Sequence, residues 1–384
     1  MTAADPGNPR IALVHERFTE IAGSEHVVEQ LSTQWPDAPI YAALSKPAGV
    51  PQGLSSMPRT TSLQLAYRLL GQRSYAPLTP LLPRAFRNIE LDRHDGVLVS
   101  HHAFASQIAL ATDAPVVAYV HSPARWAWDR AMRAHEVGGP AGEVFLGVLA
   151  RAVRKAEINA AKRLSRVVAN STAVAARIQM WWNKDSVVVH PPVDTDGFTP
   201  DPSVEREDFY LLAGRLVPYK RPDLAIAAAE RAGVRLLVAG DGRAMRQSRQ
   251  LAGPNTTFLG RVSNTELLDL HRRARALLMP GVEDFGIVPV ESMATGTPVI
   301  ALGAGGALDT VVQGMTGVLI PPGDDQVVID QFASTMKTFD PSDYDRRAIR
   351  SWAEGFSRAN FRRRMQQVMN EVLISTDRSA VATP

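Results

Sequence analysis

The stretch "FYLLAGRLVPYKRPDLAI" (residues 209–226) decides the fold. It opens with a short apolar run, turns at a glycine, passes Arg215 and Lys220, and enters a new segment at Pro222. A run apolar on both faces reads as a strand buried inside a parallel sheet, and a proline after a loop suits the first turn of a helix. The pattern recurs. "RLLVAG" (235–240), "TTFLG" (256–260), "ALLMPG" (276–281), "PVIALG" (298–303) and "GVLIPPGD" (317–324) each end in glycine or pass into a Gly/Pro turn, and most precede a helical pattern. Strands alternating with helices predict a parallel sheet with helices on both faces.

The first half carries its own series. "IALVH" (11–15), "GVLVS" (96–100), "VVAYVH" (116–121) and "RVVAN" (166–170) read as buried strands, and residues 142–165 form the longest helical pattern. Between the series lies "HPPVDTDGFTPDPSVERED" (190–208), rich in proline and acid, which places a boundary near 195–205. The expected architecture is α/β, with two Rossmann-like doubly wound domains, 1–198 and 199–345, facing a cleft. A helical segment, 346–374, is expected to pack back on them, with Trp352 and Phe356 at i,i+4 spacing, and the last ten residues are expected to lack structure. In open parallel sheets ligands bind beyond the C-terminal ends of the strands, so functional residues are expected in the loops after strands.

The totals narrow the chemistry. A chain of 384 residues exceeds one ordinary core, and 45% hydrophobic with 21% charged residues is a globular composition. A net charge of +3 falls short of what nucleic-acid binding concentrates on one face, so no nucleic acid partner is expected. With no cysteine, disulfides, thiolate catalysis and cysteine-bound metal are excluded. His101 and His102 are the one adjacent histidine pair, and neighbours on a strand point to opposite faces, which argues against a shared metal. The N-terminal stretch lacks the regions of a signal peptide, and no apolar run approaches the roughly 20 residues of a membrane span, so a cytoplasmic protein is expected.

Three segments of the second half hold candidate ligands. Arg215 offers a fixed fork of donors and Lys220 a mobile charge, a pair suited to a diphosphate, although two solvated surface cations would leave the same pattern. In "ALGAGGALDTV" (301–311), Gly303, Gly305 and Gly306 would let backbone amides approach an anion ahead of a helix, and tight strand-to-helix turns need glycine in any case. "GVEDFGIVPVESMATGTPVI" (281–300) places Glu283 in a loop and Glu291 in the first turn of a helix expected over 288–295. The helix dipole would favour Glu291 there, but leaves Glu283 unexplained. Two carboxylates that only accept hydrogen bonds suit sugar hydroxyls.

Glu283 and Glu291, with "FG" after the first and "GTPVI" after the second, resemble the E-x7-E signature of the family 4 glycosyltransferases, retaining enzymes of GT-B type with two Rossmann-like domains. Further segments are similar in the same order along nearly the whole chain: "VVANSTAVAARI" (167–178), "VVHPPVDTDGF" (188–198), "GRLVPYK" (214–220), "FLGRVSNTEL" (258–267) and "GGALDTVVQGMTGVLIPPGD" (305–324). The resemblance implies that residues 1–198 form the acceptor side and 199–345 bind a nucleotide-sugar. By position, Arg215 and Lys220 would bind the donor diphosphate in place of a metal, Glu291 the ribose, and Glu283 the donor sugar. Arg261, Phe285, Gly286 and Ile287 would complete the donor site. His121, in "AYVHSPARW", would stand near the reacting centre, with Trp126 beside it and Gly23 and Ser24 on the acceptor side. The sequence departs from the family at Ala22, where a glycine is usual, and at Asp309, where a glutamate is usual.

The N-terminal phrases "VHERFTEIAGSEHVVEQL" (14–31) and "HSPARWAWD" (121–129) resemble bacterial mannosyltransferases of surface-polysaccharide assembly. That resemblance implies hexose transfer, with GDP-mannose as donor and a glycan or lipid-linked acceptor, and with no cofactor or metal required. Aromatic faces of Trp126 and Trp128 could stack on sugar rings, and packing of a cleft wall explains them as well. A nucleotide-sugar epimerase or a silent sugar-nucleotide sensor would use the same donor site. Residues 62–87 combine apolar residues with Arg68, Arg73, Arg84 and Arg87 and no acid, which fits peripheral contact with an anionic membrane face or an ordinary basic surface.

Overall fold

The computed structural model describes residues 9–91, 94–133 and 140–381. The chain divides into two compact units, Met1–Pro192 with Phe361–Pro384, and Val193–Asn360.

In the first unit, β1 (Ile11–His15), β2 (Ile40–Ala42), β3 (Arg59–Thr60), β4 (Gly96–His101), β5 (Val116–Val120), β6 (Arg166–Ala169) and β7 (Val187–Val188) form one parallel sheet in the order β3-β2-β1-β4-β5-β6-β7. Alternate residues enter two separate cores. Ala12, Val14, Val97, Val99 and Ala118 face one, while Ile11, Leu13, Leu98, Val117 and Tyr119 face the other. Burial on both faces is why these strands read as unbroken apolar runs.

In the second unit, β8 (Tyr210–Ala213), β9 (Leu236–Ala239), β10 (Thr256–Gly260), β11 (Leu277–Met279), β12 (Val299–Leu302) and β13 (Gly317–Ile320) order as β10-β9-β8-β11-β12-β13. Every pair is parallel. Both sheets therefore have the doubly wound order of the Rossmann type, reversing between β1 and β4 and between β8 and β11. At such a reversal the flanking loops diverge and leave a crevice at the C-terminal edge.

The boundary falls at Pro192/Val193, and not near 198, for a local reason. The Val193 N–H donates to Phe356 O at 2.9 Å, and the Arg350 guanidinium donates to the carbonyls of Thr195, Phe198 and Ala294. The acid- and proline-rich crossover is thus stitched to the second unit. The C-terminal segment is divided as well. Helix Arg346–Glu354 stays with the second unit, whereas helix Arg358–Val381 sends Phe361, Met365, Val368, Met369 and Val372 into the core beneath Ile11 and Leu13 of the first. That buried stripe templates the helix through Val381, so the expectation that the chain loses structure from about 375 is overturned.

Helix Asn264–Arg273 buries His271 completely, with neither ring nitrogen hydrogen-bonded and the Phe198 ring 5.8 Å away. Burial pushes this imidazole down to about 3. The unfolded chain then binds a proton between about pH 6.5 and 3 that the folded chain refuses, so stability is lost as pH falls through that window. Replacing His271 with Leu is expected to make acid destabilisation shallower, by about 1.4 kcal/mol per pH unit for the one proton removed. Thermal unfolding followed from pH 7 to 4 checks this, and an unchanged acid limb would refute it.

Candidate functional site

The loop after β8 leads through Arg215 to a 3-10 turn, Pro218–Lys220, and then to helix Pro222–Ala232, which starts where the sequence places it. The loop after β11 carries Gly281 and Glu283 into helix Ile287–Ala294. These loops flank the reversal of strand order, and there the Lys220 ammonium meets Glu283 Oε1 at 3.1 Å, each side chain about a fifth exposed at 20% and 19%. Gly281 makes the approach possible: a Cβ on it would lie 2.5 Å from Lys220 Cα. The pair lines a shallow recess together with Ala213, Met279, Val288 and Pro289.

The Gly-rich turn after β12 closes on the same loop. The Gly306 N–H donates to Glu283 O at 2.9 Å, and a Cβ on Gly306 would lie 2.3 Å from Phe285 Cα. Bare backbone is required there. The expected helix beyond this turn is a single turn, Ala307–Thr310, because Val311 is already extended and the Trp352 indole N–H caps Thr310 O at 2.7 Å. Its dipole is correspondingly small.

Helix Ile287–Ala294 begins one residue earlier than predicted, with Gly286 at φ +93° as its left-handed N-cap. Glu291 therefore sits in the second turn, and the dipole explanation drawn from the first turn is withdrawn. What surrounds Glu291 is a mixed field. Burial and the charge of Asp194 push its carboxyl up to about 7, against the pull of Lys220 and Arg358. Asp194 comes from the crossover, where it also pairs with Arg358 at 3.1 Å and accepts the Gly197 N–H. Sequence reading passed over it because the crossover looked like a linker.

Other predicted donor residues separate. Arg215 is exposed on the β8 loop. The Phe285 ring is buried and stacks at a tilt on Phe356, 5.6 Å between centroids, so it builds the core and can offer a ligand only its backbone. Ile287, the first helical residue, packs partly against that core. Arg261 stands after β10, three strands from β11, largely exposed and 3.8 Å from Asp241; the structure does not bring it to the Lys220–Glu283 pair. In the same segment Ser263 and Glu266 form a capping box, so that Glu has a helix-starting role.

In the first unit, the reversal between β1 and β4 gathers a second cluster. His15 and Ser100 are register partners on β1 and β4, and His121 directly follows β5. The Ser100 hydroxyl lies 3.0 Å from His15 Nδ1 and 2.8 Å from His121 Nε2, while His15 Nε2 lies 3.2 Å from Glu25 Oε1. His102 stacks on His121 at 4.5 Å, and burial holds both imidazoles down, His121 to about 3. Burial alone would raise Glu25, but the His15 hydrogen bond and charge, a backbone N–H and the Ser24 hydroxyl outweigh it and bring it to about 2. Three histidines lie close, yet among the described residues no group of three or more His, Asp or Glu is arranged to hold a metal.

Gly23 opens helix Gly23–Gln34, and Ser24 spends its hydroxyl hydrogen on Glu25 Oε2 at 2.9 Å. Ala22 has φ −143°, extended backbone that alanine adopts freely, so the missing glycine costs this turn nothing. His101 points away from His102, toward Glu157 at 3.3 Å and the Trp182 ring. Trp128 donates to Glu157 at 2.5 Å and stacks on Trp181, which favours the packing alternative over a sugar platform. Trp126 is half-buried against the same core.

Residues 198–349 match the family of glycosyl transferases group 1. The chain is 34% identical over 180 residues to the D-inositol 3-phosphate glycosyltransferase of Mycobacteroides abscessus, covering 41% of each chain. To the protein of that name from Mycolicibacterium smegmatis it is 32% identical over 249 residues, covering 58% of this chain and 56% of the relative. The matched stretch thus spans about half the length of these relatives. Among solved structures, HepE of Anabaena in complex with UDP and glucose is similar with a TM-score of 0.68 at 18% identity, over 94% of this chain and all of that one. Sucrose-phosphate synthase from Thermosynechococcus elongatus reaches 0.72 at 16% identity, over 96% of this chain and all of that one. The chain thus has the two Rossmann-like domains of the GT-B fold, and its residues 198–349 are similar to the glycosyl transferases of group 1.

Proposed function

We propose that this protein is a retaining glycosyltransferase that moves a hexosyl group from a nucleoside-diphosphate sugar to a hydroxyl of a glycan or lipid-linked acceptor. The observation that carries the reading is the Lys220–Glu283 pair at the β8/β11 reversal, beside the start of a helix whose first amide N–H groups have no partner within the helix. Donor binding exchanges partners: the ammonium turns to the diphosphate, and the freed carboxylate accepts sugar hydroxyls. As the anomeric C–O bond to phosphate breaks, charge grows on the diphosphate, where Lys220 and Arg215 offset it without a metal. The acceptor oxygen bonds to the anomeric carbon on the face the diphosphate leaves, and its proton passes to a departing phosphate oxygen. His121 is a sugar-side contact and Glu291 holds the ribose.

GDP-mannose is the donor favoured by the N-terminal phrases. A UDP-sugar is the second reading, supported by the relatives named as D-inositol 3-phosphate glycosyltransferases and the similar fold seen with UDP and glucose. Contact with an anionic bilayer is supported by Leu65, Leu69, Leu70 and Leu81, which are 66%, 81%, 46% and 50% exposed, interleaved with exposed Arg68, Arg73, Arg84 and Arg87.

Lys220→Ala and Glu283→Ala are expected to lower transfer by about 100-fold or more, with and without EDTA present, while circular dichroism stays native. Full activity in either variant would sink the assignment. Thermal shift across GDP-, UDP- and ADP-sugars should pick one base, and a shift with UDP-glucose alone would remove GDP-mannose. Affinity for that nucleotide should tighten as pH rises through about 7, since hydroxyl donors favour the ionised Glu291; Glu291→Gln should flatten this dependence, and a flat wild-type profile would argue against the ribose role. The protein should sediment with phosphatidylglycerol-containing vesicles but not with phosphatidylcholine alone, and the double variant Leu65→Asp, Leu69→Asp should stay in solution. Equal sedimentation of the two proteins would refute the membrane face.

A further inference from the structure

Among the described residues three that are not glycine hold a positive φ: Gln72, Asn183 and Arg221, at 55°, 49° and 52°. Asn183 ends a helix, where its short polar side chain tolerates that conformation. Arg221 directly follows Lys220 and precedes Pro222, with φ 52° and ψ 49°. A residue carrying a Cβ is disfavoured there and stays only where surrounding contacts hold it. Those contacts are two carboxylates. Along one edge of the Arg221 guanidinium, Nε donates to both oxygens of Asp223 at 3.1 Å and Nη2 donates to Oδ2 at 2.8 Å. Along the other edge, Nη1 donates to Asp325 Oδ1 at 2.9 Å and Nη2 to Oδ2 at 2.6 Å. Both forks of the planar cation are filled.

The support under this clamp is rigid. Asp223 lies in the first turn of helix Pro222–Ala232 and Asp325 opens helix Asp325–Thr338, and the two helices share one core through Leu224, Ala225, Ala228, Val328 and Phe332. The turn ahead of the clamp is slight by comparison. The Lys220 N–H donates to Val217 O and the Arg221 N–H to Pro218 O, both at 3.0 Å, while bare backbone at Gly281 packs against Lys220 Cα. The left-handed step at residue 221 is what joins this 3-10 turn to the helix. Were Arg221 to relax to a negative φ, the turn would leave the helix in another direction and carry Lys220 away from Glu283, which it meets at 3.1 Å.

We propose that Arg221 is a positioning residue: its forked grip on Asp223 and Asp325 keeps the backbone left-handed at 221 and so aims the Lys220 ammonium into the recess at the β8/β11 reversal. The proposal deepens the transferase reading and rests on it for what Lys220 holds, while its backbone component stands apart. Exposed ion pairs contribute little to global stability, so the clamp shows in the local order of the turn rather than in unfolding of the whole unit.

Glycine takes this φ without strain, which separates backbone from side chain. Arg221→Ala removes the clamp and keeps a Cβ, and is expected to lower kcat on the order of 10-fold by misplacing Lys220, with circular dichroism native. Arg221→Gly is expected to recover most of that loss. Both variants lack the charge, so their difference reads the backbone alone. Asp223→Ala with Asp325→Ala should act like Arg221→Ala when Arg221 is present and change little beside Arg221→Gly. In a Lys220→Ala background, Arg221→Ala should slow transfer no further, because both act through one ammonium. Amide exchange reads the same device without substrate. Protection of the Arg221 and Leu224 amides, which bond across the turn, should fall about 10-fold in Arg221→Ala and hold in Arg221→Gly, with strand β9 unchanged as reference. Arg221→Ala equal to wild type in exchange and transfer, or Arg221→Gly as slow as Arg221→Ala, would overturn the proposal. Loosened exchange with undiminished transfer would overturn the link to Lys220. A wild-type chain that transfers nothing from any donor would instead sink the reading of function, and amide exchange would still decide the backbone role.

Discussion

The geometry at the β8/β11 reversal depends on backbone approaching backbone more closely than side chains permit. Gly281 lies against Lys220, and Gly305 and Gly306 lie against residues 283–285, at separations where an added Cβ would sit 2.3–2.5 Å from main-chain atoms. These contacts draw the loops after β8, β11 and β12 into one layer, although the strands that carry them stand about 5 Å apart. A single methyl group at Gly306 would have to displace the loop that aims Glu283. The acid and the cation are therefore positioned less by their own rotamers than by the absence of side chains elsewhere.

The two sheets share a strand order and use their reversals differently. In the second unit the reversal holds a partly exposed ion pair, Lys220 with Glu283. In the first it holds buried imidazoles joined through the Ser100 hydroxyl, ending in a carboxylate that meets His15 Nε2, the Ala22 N–H and the Ser24 hydroxyl.

Much of this was legible in the sequence because the periodic signal is strong where strands are buried on both faces. Every quoted apolar run became a strand, and Pro222 started its helix. The pairing of Lys220 with Glu283 follows from the same logic, since loops on neighbouring parallel strands emerge at one edge. What escaped was set by contacts distant in the chain. Asp194 bears on Glu291 only because the crossover folds onto the second unit, and the role of Phe285 turned on Phe356, far along the sequence. The first-unit cluster was hidden for a related reason. His15, Ser100 and His121 are separated by 85 and 21 residues, and only strand register places them in line. Arg261 shows the limit of motif position: it stands after β10, at the edge of the sheet and three strands from β11.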